Sequence, residues 1–85
     1  MNKTLMKARL KAAAERAKLP GESATPEIIE RSGGTATVGV IFKKGHKSVE
    51  DVSHHGSWYT EAEREKLLND TLKSLELRSK RSSTR

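Results

Sequence analysis

Eighty-five residues allow one domain at most, and with 33% apolar residues, three aromatics (Phe42, Trp58, Tyr59) and no cysteine the core must be thin, with no disulfide or thiolate metal site to staple it. The formal charge of +6 sits at the two ends: residues 1–19 hold six Lys/Arg against one acid, residues 78–85 hold four bases and no acid, and the span between them has seven bases against ten acids. No stretch approaches the roughly 18 apolar residues of a membrane span, and charge interrupts the first residues too often for the apolar run of a signal peptide. No membrane association and a cytoplasmic location are therefore expected; the basic, Ala-rich start shares its composition with transit peptides, but also with helices that bind nucleic acid.

Residues 3–19 (KTLMKARLKAAAERAKL) hold strong helix formers with no glycine or proline inside the run, which predicts a helix. Met6, Leu10, Ala13 and Ala17 fall on one narrow apolar stripe, while Lys3, Lys7, Arg9, Lys11, Arg16 and Lys18 cover much of the rest. So thin a stripe predicts a helix that docks weakly. Pro20-Gly21 ends it, and residues 20–34 read as a linker holding a short helical turn, with Thr25 as cap, Pro26 at the first helical position, Ile28 and Ile29 as anchors and Gly33-Gly34 as its close.

Thr35 to Phe42 is the one clear strand, placing Ala36, Val38, Val40 and Phe42 on one face and Thr35, Thr37, Gly39 and Ile41 on the other. A lone strand cannot satisfy its own backbone and needs a partner. After a turn at 43–47, residues 48–56 have Val49 and Val52 three apart, which fits a second strand with a bulge or a short helix capped by Ser48 and Asp51. The β-hairpin is the reading taken forward. Its alternative leaves a strand shared between two copies, as in ribbon-type DNA binders, and makes the protein a homodimer.

The last element is an amphipathic helix. Thr60 and Glu63 form a capping box, acids crowd its start, and Leu68, Leu72 and Leu75 make its apolar line with Ala62, Leu67 and Leu77 at the edges. Trp58 is expected in the core, whereas Tyr59 tolerates either a core or a wet position. Beyond Ser79 the basic tail has no apolar anchor and is expected to be disordered.

The histidines His46, His54 and His55, with Glu50 and Asp51 nearby, lack any recognised ligand spacing, and adjacent histidines in a strand point to opposite faces. No glycine-rich phosphate loop of the right pattern and no nucleophile elbow is present, so neither an enzyme nor a cofactor is expected. Cations are the remaining chemistry. Six of them along about 24 Å of helix can meet several phosphates at once, each releasing condensed counterion. Lys43, Lys44 and Lys47 at the turn and Arg78, Lys80 and Arg81 in the tail form two further clusters that can align with it; lysines beside a strand also guard an edge against aggregation.

These readings combine into a small α+β domain: a basic helix over 1–19, a linker over 20–34, a compact body over 35–78 and a basic tail over 79–85. The expected function is non-catalytic nucleic-acid binding, DNA or RNA, through those basic residues. The alternative is a regulator or inhibitor that docks on a larger protein through its C-terminal helix or an exposed strand edge. A binder needs its cations on one contiguous surface, and an adaptor needs an exposed apolar patch.

Overall fold

In the computed structural model, which describes residues 2–83 and only the backbone of 82 and 83, the N-terminal run forms helix α1, Lys3–Ala17, capped by the Asn2 side chain accepting from Leu5 N at 2.8 Å. The predicted stripe is its buried side. Met6, Leu10, Ala14 and Ala17 are each at most 1% exposed, so α1 is part of the core and the expectation of weak docking is corrected. Alanines let the helix approach its neighbours closely, and a narrow stripe of small side chains suffices for a close fit.

The segment read as a linker is strand β1, Glu22–Arg31. It pairs antiparallel with β2, Thr35–Lys44, which pairs with β3, Lys47–Ser57, giving a three-stranded sheet in the order β1-β2-β3. β1 hid from sequence reasoning because Pro26 and the adjacent Ile28 and Ile29 do not look like a strand. On an edge a proline is tolerated, and neighbouring isoleucines simply go to opposite faces. β2 is central and paired on both sides within the chain, so the hairpin reading of 35–53 holds and the intermolecular ribbon is overturned. Gly45 (φ 65°) and His46 make the two-residue turn between β2 and β3, a conformation that favours glycine at the first position. The register shift beside Phe42 and Lys43 is the bulge that the spacing of Val49 and Val52 requires.

Helix α2, Glu61–Ser83, starts at the predicted capping box: Glu63 N donates to Thr60 Oγ1 at 3.1 Å and Thr60 N to Glu63 Oε1 at 3.0 Å. It runs further than expected, so residues 79–83 are helical rather than a disordered tail; Thr84 and Arg85 lie outside the described residues. Both helices cover the same sheet face, α1 beside β1 and α2 beside β3. Between them lie Ala36, Val38, Val40 and Phe42 of β2, all fully buried, with Leu68 and Leu75. Leu67 is buried and Leu72 only partly, which exchanges their expected places, while Leu77 is exposed. Thr71 completes the stripe, its buried hydroxyl lying 2.8 Å from the Leu67 carbonyl and 3.1 Å from that of Val38. Among the described residues no helix is long and apolar enough to cross a membrane.

Candidate nucleic-acid interface

The helices run side by side in the same sense. At one end Lys3 of α1 pairs with Glu30 of β1 at 2.8 Å, and the same carboxylate accepts from Trp58 Nε1, just before α2, at 2.9 Å. At the other end the α1 terminus meets the last turns of α2, where Ser79 Oγ donates to the Arg16 carbonyl at 3.1 Å. Both helix C-termini, with their partial negative charge, therefore face the end where cations gather, and both N-termini face the end holding Glu61, Glu63 and Glu65.

Register brings the hairpin tip to the cationic end. Lys44 lies opposite both Glu22 and Lys47, and Glu22 pairs with Arg78 of α2. Arg16 and Lys18, then Lys43, Lys44 and Lys47, then Lys80 and Arg81 thus surround one end of the molecule. Lys73 joins them, sharing a groove with Arg16 and Glu76, and sequence reasoning missed it although it lies seven residues before Lys80 on the same helix face. The acids beside these cations are Glu15, Glu50, Asp51 and Glu76, together with Glu22, which lies opposite Lys44 but is held by the buried Arg78. Three of them hold cations of the group: Glu15 pairs with Lys18 at 3.0 Å, Glu50 with Arg81 at 3.6 Å and Glu76 with Lys80 at 3.6 Å. Lys18 first, and Lys11 after it, hold the Glu15 carboxyl below its usual range. Such half-exposed pairs are weak and yield readily to a stronger polyanion.

Five predicted contact residues, Lys3, Lys7, Arg9, Lys11 and Arg78, lie away from this cluster or are committed to other contacts. Arg78 is buried: Nε donates to Glu50 at 2.7 Å, Nη1 to the Ala17 carbonyl at 2.5 Å, and Nη1 and Nη2 to the two Glu22 oxygens at 3.1 Å, with the guanidinium 3.8 Å above the Phe42 ring. It ties both helices and the sheet together and is withdrawn from the interface. Lys3 sits at the acidic end. Lys11 donates to the Ala24 carbonyl of β1 at 2.7 Å, so its charge is partly structural. Arg9 is exposed farther up α1, on the same side as Arg16 at 100° per residue, whereas Lys7, Lys11 and Lys18 flank β1. The five cations of α1 and its C-cap Lys18 therefore split along two sides of the buried stripe, and it is the last turn with its cap that joins the cluster.

The histidines separate as strand geometry requires. His54 Nε2 lies 2.9 Å from Ser74 Oγ on the helix side, and His55 Nδ1 lies 2.6 Å from Thr37 Oγ1 on the open side. No group of three or more His, Asp or Glu able to hold a metal is found among the described residues. Trp58 is buried beneath Arg64, whose guanidinium lies 5.5 Å from the ring, and Tyr59 is exposed with its ring lying where a Cβ on Gly34 (φ 79°) would stand. No family model, no curated protein and no solved structure matches this chain.

Proposed function

We propose that this protein is a non-catalytic binder of nucleic acid that grips phosphates with one end of the molecule, through Arg16, Lys18, Lys43, Lys44, Lys47, Lys73, Lys80 and Arg81. The observation that supports this reading is the meeting, at one end of the fold, of three cationic clusters that are far apart in sequence. Scattered surface lysines serve solubility, but cations drawn together against self-repulsion create a local field suited to a polyanion. Exposed side chains on a hairpin tip and two helix ends contact backbone phosphates more readily than base edges, so binding is expected to vary little with sequence.

The test is fluorescence anisotropy of labelled duplex and single-stranded DNA and RNA across a salt series. Neutralising four to six phosphates on duplex DNA gives a log–log slope of about −4 to −5. A flat slope, or no binding at low salt to any of these probes, removes the reading. The alternative of a protein-docking regulator draws on one specific observation, a groove of about 750 Å³ between β3 and α2 that holds the exposed Leu77.

A further inference from the structure

The two edges of the sheet are treated differently. β1 carries Pro26, which has no amide to offer, and its Ala24 carbonyl is already bonded to Lys11. Proline and lysine are the usual guards of an edge strand. The guards of β3, Lys47 and the bulge at Val49, lie at its start; between Glu50 and Ser57 it has neither proline nor lysine, and there it borders the groove that continues onto Ser74, Leu77, Lys80 and Arg81 of α2. We infer that the β3 edge is the pairing surface for a second copy of this chain, two β3 strands joining antiparallel about a two-fold axis through Ser53.

The register follows from the ladder. Gly39 and Ser53 approach so closely that a Cβ on Gly39 would lie 2.5 Å from that of Ser53, as befits a pair without mutual backbone hydrogen bonds, the kind whose side chains stand nearest. By alternation, the amides and carbonyls of Asp51, Ser53 and His55 then point away from β2, towards the edge. Symmetric pairing through these groups can centre on one of the three, or on Val52 or His54 between them, where Ser53 would face the partner's Asp51 or His55 instead of its own twin. An axis at Asp51 sets that carboxylate against its twin, and an axis at His55 does the same for the imidazole. Only the axis at Ser53 sets Asp51 opposite the partner's His55, twice per dimer, on the face that no helix covers.

One tautomer of His55 suits this arrangement. Thr37 Oγ1 accepts from Arg31 Nη1 and lies 2.6 Å from His55 Nδ1, and in the tautomer that suits the dimer its own proton is donated to that nitrogen. The ring proton then sits on Nε2, on the side of the ring away from Thr37, where it can donate to the partner's Asp51. On the other face Leu77, 61% exposed and bordering Glu50 to His54, lies close to the axis and meets the partner's groove. This inference does not rest on nucleic-acid binding, although Lys80 and Arg81 border both surfaces.

The test needs no nucleic acid. Sedimentation equilibrium of the full chain from low micromolar to millimolar concentration is expected to show the mass rise from 9.4 kDa towards twice that value. Asp51→Lys, which sets an ammonium donor against the Nε2–H of the partner's His55, and His55→Asp, which sets two carboxylate pairs in the dimer, are each expected to weaken association at least about tenfold, and the double variant, which pairs lysine with aspartate, to restore it. In a chain without native cysteine, Ser53→Cys is expected to link two copies on mild oxidation, because paired strands hold opposed Cα atoms about 5.5 Å apart, within disulfide reach, whereas Ser57→Cys is not. Circular dichroism of each variant checks the fold, and the rescue separates lost pairing from lost structure. A chain monomeric at every concentration, a dimer indifferent to the charge changes or unrestored by the double variant, or failure of the Ser53→Cys variant to link overturns the inference.

Discussion

A guanidinium carries five N–H donors and is satisfied in a protein interior only where acceptors converge on it. Arg78 finds them in Glu22, Glu50 and the Ala17 carbonyl, and the Phe42 ring beneath closes its flat face. Burial alone would lower the Arg78 pKa, but Glu22 and Glu50 outweigh it and hold it raised. Removing one member of such a group leaves a buried charge uncompensated, so Arg78→Met is expected to cost about 3–5 kcal/mol in urea unfolding. The Glu22 carboxyl is held below its ordinary value of 4.5, first by Arg78, with burial opposing and the Leu19 amide assisting. A depressed folded pKa stabilises above the unfolded value and is lost as pH falls through the folded one. Stability is therefore expected to decline below about pH 4.5, and Glu22→Gln, less stable at neutral pH, to flatten that decline in melts at pH 7 and pH 3. An acid limb unchanged in Glu22→Gln would place its origin in other carboxylates.

Elements differed in how plainly their residues announced them. The capping box at Thr60, the alternation of β2 and the alanine-rich run of α1 each carry a local signal, and each formed where that signal lay. β1 carries none, because an edge strand with a proline is specified by its neighbour across the ladder rather than by its own alternation. The same dependence on packing misplaced the leucines. Leu72 looks central on the helical wheel, yet it lies at the α1 border and only partly buried, while Leu67 turns towards Gly56 of β3. Leu68→Ala and Leu75→Ala, both at fully buried positions, are expected to lose about 2–5 kcal/mol each, and Leu72→Ala clearly less. Thermal or denaturant melts of the three variants check the order. Equal losses would mean that the α1–α2 seam is as tightly packed as the sheet-facing core.

At the scale of the whole molecule the chain is polarised along its helices. α2, with 23 residues, spans about 35 Å, several times the screening length of about 8 Å at physiological salt, so its two ends present separate fields. The cations were legible in the sequence, but their grouping was not. Charge runs at the termini predicted two arms on a neutral body, whereas the fold buries Arg78, ties Lys3 to Glu30, and gathers the hairpin lysines with the last turns of both helices, an arrangement that depends on β1 carrying the chain back along α1. That grouping sets a comparison between ends. Lys44→Glu with Lys47→Glu removes two cations from the hairpin tip, and if both neutralise phosphates the salt slope on duplex DNA should become shallower by about 2, with affinity at low salt falling on all sequences alike. Lys3→Glu with Lys66→Glu makes the same change in net charge at or towards the acidic end, where the slope should stay near that of the parent chain. Anisotropy titrations of both variants, with circular dichroism to confirm the fold, decide the matter. Equal losses from the two pairs would mean that net charge alone attracts the polyanion and that the cationic end is not the grip.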